Sequence, residues 1–175
     1  MLNAGGVQVL ADRSRPADSH NPYGYFEDER VRRLAHDSSW LGEARGKALK
    51  VIYRLLPHLP AGLEYRVIFM QRDLDEIYTS QQDMLETRND PAASQQRDAI
   101  ICSLALDLDR VQQWIAKQSN FRFLVIPYAQ LVCRPETLVA TIAGFLDGGL
   151  DVAAMAGAID PALYRHRRPE ATPRS

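Results

Sequence analysis

The pair of residues best suited to bind an anion is Arg72 with Ser80, eight positions further along the chain. Arg72 lies just after the apolar run 65–70, at the point where a helix is predicted to begin. An arginine in that position meets free backbone N–H groups and the positive end of the helix dipole. Its guanidinium can hold a phosphate through two hydrogen bonds, and the Ser80 hydroxyl can add a third. The spacing therefore indicates a phosphate-binding pair.

Three acidic residues directly after Arg72 support a different interpretation of the same stretch. Asp73 and Glu76 match the capping-box pattern and predict a helix that begins after Asp73. Either of them, or Asp75, could instead form an ion pair with Arg72 while Ser80 faces water. Both the anion site and the local ion pair remain open at this point.

The elements that would position Arg72 alternate along the chain between strands and helices. The run 65–70 and the run 121–127 are almost continuously apolar, which is typical of strands inside a parallel sheet. Further strands are predicted at 7–10 and 48–53, and helices at 27–35, 73–85, 100–115, 135–146 and 152–159. This order predicts an α/β fold, a three-layer sandwich with a mainly parallel sheet. Ligands of such sheets bind beyond the carboxyl ends of the strands, where Arg72 lies.

Composition limits the classes of protein to which the chain can belong. Its 175 residues fit a single domain spanning 1–175, and the net charge of −1 provides no overall attraction for nucleic acid. No apolar run approaches the length of a membrane span. Cys102 and Cys133 are isolated thiols, which favours the reducing cytoplasm, and no cluster of residues has metal-ligand spacing. We therefore expect a soluble cytoplasmic protein with no metal and no nucleic-acid partner.

The stretch 67–80 resembles the 3′-phosphate motif of the sulfotransferase family. In that family a strand is followed by Arg-Asn-Pro-x-Asp, and a serine lies eight residues after the arginine. Arg72 and Ser80 match the two phosphate-binding positions, while Asp73 replaces the asparagine and Leu74 replaces the proline. The resemblance implies that Arg72 and Ser80 bind the 3′-phosphate of 3′-phosphoadenosine-5′-phosphosulfate (PAPS).

Other stretches are similar to a bacterial subgroup of the same family, in the same order along the chain. They are residues 21–27, 45–60, 126–131 and 135–146. The resemblance implies a P-loop NTPase-like fold, and transfer of a sulfonate group from PAPS to a hydroxyl or amine of a small-molecule acceptor. PAPS would be a co-substrate, without a metal.

Two features of that family are missing from this sequence. Residues 1–6 resemble the end of its first helix, so we expect the domain to be N-terminally truncated, without the first strand and the loop for the 5′-phosphosulfate. Leu55 occupies the position of the usual catalytic histidine, and His58 is a weaker candidate base, so no catalytic residue is assigned. The tail arginines, Arg165, Arg167 and Arg168, could add positive charge or simply face water. The alternative function is a non-catalytic fragment or degenerate homologue that acts as a nucleotide-binding or interaction domain.

Overall fold

The computed structural model describes residues 1–12, 14–18, 21–84 and 93–164. The strands are β1 (Val9–Leu10), β2 (Ala48–Leu49), β3 (Tyr65–Gln71) and β4 (Phe121–Pro127). The α-helices are α1 (Leu74–Met84), α2 (Ala93–Ile115), α3 (Tyr128–Cys133), α4 (Pro135–Phe145) and α5 (Val152–Gly157). Short 3-10 helices cover Glu29–Arg33, Ser39–Ala44, Tyr53–His58 and Pro161–Leu163. In the described part of the chain, no helix is long and apolar enough to cross a bilayer.

β3 and β4 form a parallel pair in continuous register from Tyr65 opposite Phe121 to Gln71 opposite Pro127. Both strands were expected from their continuous apolar runs, and the parallel pairing of α/β type is confirmed. Aromatic contacts reinforce the register, with ring centroids 4.8 Å apart for Tyr65 and Phe121. Such cross-strand pairs are the main side-chain stabilisation of a sheet.

β1 and β2 form a second parallel pair, separate from the first, in which Val9 lies opposite Ala48. A single sheet was expected, and the described residues instead form two sheets of two strands each. The predicted strand 48–53 ends at Leu49, and the chain turns into a 3-10 helix at Tyr53. Residues 50–52 have no neighbouring strand within the described residues, so ladder hydrogen bonds do not extend the strand there.

The C-terminal core is a cluster of side chains between β4 and the last three α-helices. Ile126, Val139, Ile142 and Met155 are each at most 1% exposed. Gly5 packs directly on this cluster, because a Cβ placed on it would lie 2.3 Å from Met155 Cγ. Residues 1–6 form a helical turn that ends at Gly6, whose φ of 100° favours glycine. The predicted helix-end signal at the start of the chain is therefore confirmed.

A second cluster forms around two 3-10 helices in the N-terminal part. Its buried members are Val31, Leu34, Trp40 and Leu41. The Arg30 guanidinium lies 4.4 Å from the Trp40 ring centroid and forms an ion pair with the buried Asp28. These two residues close one side of the cluster. A helix was predicted for 27–35, and the structure has the tighter 3-10 form at Glu29–Arg33.

The end of α4 connects back to the start of both long strands. Gly148 N donates to Ala143 O at 2.8 Å, so the helix ends as the two glycines after it predict. Asp147 adopts a positive φ of 69° and forms ion pairs with Arg66 and Arg122. These two arginines lie opposite each other on β3 and β4.

Candidate functional site

Arg72 lies at the junction between β3 and α1, as predicted. Asp73 caps the helix, because its Oδ1 accepts hydrogen bonds from the backbone N–H groups of Asp75 at 2.9 Å and Glu76 at 3.2 Å. The strand therefore ends at Gln71 and the helix begins three residues later, at Leu74. The sequence 65–80 runs from strand into helix, which fixes the Cα of Arg72 at the carboxyl edge of the parallel pair.

The Arg72 guanidinium lies close to two tyrosine rings and a buried carboxylate. Its Cζ is 5.3 Å from the Tyr128 ring centroid and 5.9 Å from that of Tyr164. Its Nε lies 3.4 Å from Glu76 Oε2, and the side chain remains 25% exposed. Cation–π contacts with the two rings help to orient the guanidinium, which stays partly exposed. The local ion pair left open by the sequence is thus present, with Glu76 as the acid.

Glu76 is also bonded to a tyrosine from the end of the described chain. Tyr164 donates its hydroxyl proton to Glu76 Oε1 at 2.6 Å, and both residues are buried. Burial, followed by this hydrogen bond, raises the pKa of Tyr164 to about 12. Glu76 thereby accepts hydrogen bonds from two residues, as a buried carboxylate requires. We call Arg72, Glu76, Tyr128 and Tyr164 the arginine cluster.

A cleft of about 1660 Å³ lies beside the arginine cluster, between β2 and β3. Arg72 is in its wall, together with Leu74, Ile77 and Gln81 of α1. Ser80 is half-buried on the same helix but is not among the residues that line the cleft. The structure therefore places Arg72, but not Ser80, at the wall of this cleft.

Three members of the arginine cluster were not predicted as site residues. Tyr128 is the first residue after β4, so the rule that ligands bind at the carboxyl ends of parallel strands could have indicated it. Glu76 was noted only as a helix-start residue and possible ion-pair partner. Tyr164 is 88 residues from Glu76, and no local pattern in the sequence points to that contact.

Other candidate residues lie away from the arginine cluster. His58 is exposed at the end of the 3-10 helix Tyr53–His58 and does not line the cleft. Leu55 packs on the N-terminal cluster. Cys102 and Cys133 are free and exposed. Within the described residues no group of three or more His, Cys, Asp or Glu side chains could hold a metal. The tail arginines 165, 167 and 168 lie outside the described residues.

No family model matches the chain, and neither a curated protein nor a solved structure is similar to it. The assignment of a function therefore depends on the site and on the sequence motif. Chemically, the arginine cluster offers a partly exposed arginine, ion-paired with a buried carboxylate, beside a large cleft.

Proposed function

We propose that this chain is a sulfotransferase-type protein that binds a 3′-phosphorylated adenine nucleotide through Arg72. The observation that carries the proposal is the position of the Arg72 guanidinium, at the carboxyl edge of a parallel strand pair and in the wall of a large cleft. In α/β proteins this edge is where nucleotides bind. Arginine provides the planar donor pair that suits a phosphate.

The Arg72 guanidinium retains donor groups that a phosphate can use, although it is ion-paired with Glu76. Glu76 hydrogen-bonds Nε only, and the described residues supply no hydrogen bond to the two outer nitrogen atoms. A phosphate dianion can therefore approach these atoms without displacing an existing hydrogen bond. The tyrosine rings already restrict the side chain, so less conformational entropy is lost on binding than for a free arginine.

We also propose that the domain has the three-layer P-loop NTPase-like sandwich fold. In support, both strand pairs are parallel, and α3 and α4 pack on β4. In this arrangement β1, β2, β3 and β4 would be parts of one sheet, with the cleft between its two halves. Arg72 and Ser80 would then serve the 3′-phosphate end of PAPS, with Ser80 the weaker contact.

The reaction we propose is sulfonate transfer from PAPS to an acceptor hydroxyl or amine. The bond between sulfur and the bridging phosphate oxygen breaks, and a bond forms between sulfur and the acceptor atom. The proton of the acceptor passes to a base, and adenosine 3′,5′-bisphosphate leaves. Arg72 contributes by fixing the nucleotide at the end remote from the reacting sulfur. Binding energy from such a remote group can be used to orient the reacting atoms.

A second candidate is a domain that binds the nucleotide without transferring sulfonate. The packing of Leu55 on the N-terminal cluster favours it, because a side chain at the position of the usual base is here part of a core. Incubation with sulfur-35-labelled PAPS and a panel of phenol, sugar and amine acceptors separates the two. Labelled product supports the enzyme, whereas tight binding of PAPS without product supports the second candidate.

Calorimetric titration with adenosine 3′,5′-bisphosphate tests the binding site itself. We expect Arg72→Ala to weaken binding roughly 10-fold to 100-fold, because a charged hydrogen-bonded pair contributes about 1.5–3 kcal/mol. Arg110→Ala, on the exposed side of α2, is the matched control and should bind like the wild type. Adenosine 5′-monophosphate, which lacks the 3′-phosphate, should bind the wild type and Arg72→Ala equally. Equal affinity of both proteins for the bisphosphate would refute the proposal.

A further inference from the structure

The two long walls of the cleft are made of consecutive residues. Residues 44–53 all line one wall, and residues 62–72 all line the other. Side chains of a strand alternate between its two faces, so a wall formed by one face would include only every second residue. The unbroken run over all seven residues of β3 means that this wall is a strand edge rather than a strand face.

The backbone of β3 presents alternate residues to the cleft. Tyr65 N donates to Asn120 O at 2.9 Å, so the N–H of Tyr65 points toward β4. Backbone groups of successive residues in a strand point to opposite edges, and those of Arg66, Ile68 and Met70 therefore point away from β4. Among the described residues β3 has no second neighbouring strand. These donors and acceptors form an open edge.

The wall on the other side of the cleft, which contains β2, also has an open strand edge. β2 is paired with β1 on one side, and its other side has no neighbouring strand in the described residues; residues 50–53, which follow β2 and enter the 3-10 helix Tyr53–His58, continue along the cleft. Ile52 is 57% exposed and Met70 is 40% exposed, one on each wall. Exposed apolar side chains on both walls, one on β3 and one shortly after β2, suit a surface that takes up an additional strand.

Charge distinguishes the two ends of the cleft. Arg45 and Lys47 line it just before β2 begins, and the described residues form no ion pair with either of them. Glu64, just before β3, also lines the cleft and offsets one of these two charges. The other basic groups in the walls are already paired, Lys50 with Glu27, Arg66 and Arg122 with Asp147, and Arg72 with Glu76. An acidic group would therefore be favoured at the end of the cleft where β2 starts.

We propose that this cleft binds one extended polypeptide strand, which runs parallel to β2 and β3 and joins the two strand pairs. The strand carries apolar side chains at alternate positions and acidic residues at its amino end, beside Arg45 and Lys47. At about 3.3 Å per residue, the seven residues of β3 match a segment of about seven to nine residues. This inference does not depend on the nucleotide chemistry of Arg72.

A synthetic peptide provides the direct test on the full chain. The probe is a fluorescein-labelled nine-residue peptide, two glutamates followed by alternating valine and threonine. We expect saturable binding by fluorescence anisotropy, with a Kd of about 10–100 µM. The control peptide has the same sequence with every second backbone nitrogen methylated, which blocks one hydrogen-bonding edge, and should bind at least about tenfold more weakly. Equal binding of the two peptides, or no binding at about 1 mM, would overturn the proposal.

Two variants locate the bound peptide. Met70→Asp places a charge at the cleft edge and should weaken binding about tenfold or more, with little effect on folding because Met70 is exposed. Val125→Asp is the matched control, since Val125 is 38% exposed on the adjacent strand and does not line the cleft. Its affinity should equal that of the wild type. A similar loss in both variants would contradict a site in the cleft.

Amide hydrogen exchange gives a readout at single residues. Bound peptide should slow exchange of the Arg66, Ile68 and Met70 amides and leave that of Val67 and Phe69 unchanged. Uniform slowing along the strand would contradict edge binding. Sedimentation without peptide identifies a competing occupant: a dimer that Met70→Asp dissociates would assign the cleft to a second copy of the chain and refute the strand proposal.

Discussion

The chain packs its C-terminal part around regular helices, whereas its N-terminal part packs around 3-10 turns. The buried members of the C-terminal cluster (Ile126, Leu131, Val139, Ile142 and Met155) are 0% to 4% exposed, while those of the N-terminal cluster are 2% to 9% exposed. The 3-10 helix has poorer hydrogen-bond geometry and rarely extends beyond one or two turns. The difference indicates that close packing in this chain accompanies long elements with a continuous apolar stripe.

The sequence explains why the N-terminal part has no long helix. Between residues 12 and 62 the prolines at 16, 22, 57 and 60 and several glycines interrupt every candidate stripe. In the C-terminal part, α4 has proline only at its first position, where the missing N–H is not needed. The apolar residues of the two parts are similar in type, so the continuity of the backbone decides how well they pack.

The largest effect is expected from truncation of a core side chain in each region. Ile142→Ala should lower the free energy of unfolding by about 3–5 kcal/mol, because rigid helices leave most of the cavity open. Leu34→Ala should lower it by only about 2 kcal/mol, since short 3-10 turns can collapse around the gap. Urea denaturation followed by circular dichroism measures both. A larger loss for Leu34→Ala would reverse the ranking of the two regions.

An intermediate effect is expected where the first turn of the chain contacts the C-terminal core. Gly5→Ala would place a Cβ 2.3 Å from Met155 Cγ and 2.6 Å from its Sδ, so the side chain must move. We expect a loss of about 2 kcal/mol from such overpacking. Gly62→Ala, with no atom within 4 Å of the new Cβ, is the control and should change stability by less than about 0.5 kcal/mol. Similar unfolding midpoints for the two variants would show that the turn is not packed as described.

The smallest change in the free energy of unfolding is expected when a hydrogen bond to one of the buried acidic residues is removed. Asp28 pairs with Arg30 two residues away, whereas Glu76 accepts from Tyr164, 88 residues away. Tyr164→Phe should lower the free energy of unfolding by about 1–1.5 kcal/mol at neutral pH, because Glu76 loses one hydrogen bond. The effect of Tyr164 should also depend on pH in the alkaline range.

The direction of that dependence follows from the pKa of Tyr164, raised to about 12 by burial and by Glu76. The unfolded tyrosine ionises near pH 10, so its contribution is complete below pH 10 and is lost as pH rises toward 12. Asp28 behaves in the opposite way, since the Arg30 hydrogen bond lowers its pKa and its contribution is lost only in acid. Urea midpoints measured from pH 9 to 12 should fall less steeply for Tyr164→Phe. If the urea midpoints of the wild type and the variant fell equally steeply with pH, the hydrogen bond between Tyr164 and Glu76 would be contradicted.

The parts of the fold predicted from sequence are those set by local patterns. The apolar runs of β3 and β4 and the capped start of α1 were predicted to within a few residues, whereas α2 begins at Ala93, seven residues before its predicted start. The division into two sheets was not predicted, because the pairing of β2 with a further strand depends on residues that are distant in sequence. The strand predicted at 48–53 is correspondingly shortened to Ala48–Leu49.

The candidate site was predicted only where one residue lies next to a recognisable junction. Arg72 follows from the strand-to-helix transition, and the structure places it there. Its contacts with Tyr128 and Tyr164 arise from tertiary packing between segments separated by more than 50 residues. The role of Arg72 and Ser80 in nucleotide binding stays a prediction that titration can test.

Asp147 favours the observed register of the parallel strands β3 and β4. Arg66 and Arg122 lie opposite each other, and without a counter-charge two like charges at that spacing repel. Asp147 forms ion pairs with both arginines, and these two ion pairs require the register in which Arg66 lies opposite Arg122. A slip of one residue would turn one arginine to the other face and leave the repulsion of the remaining charges uncompensated. Asp147, in the turn after α4, thus favours one register of β3 and β4 over the others when the two strands pair during folding.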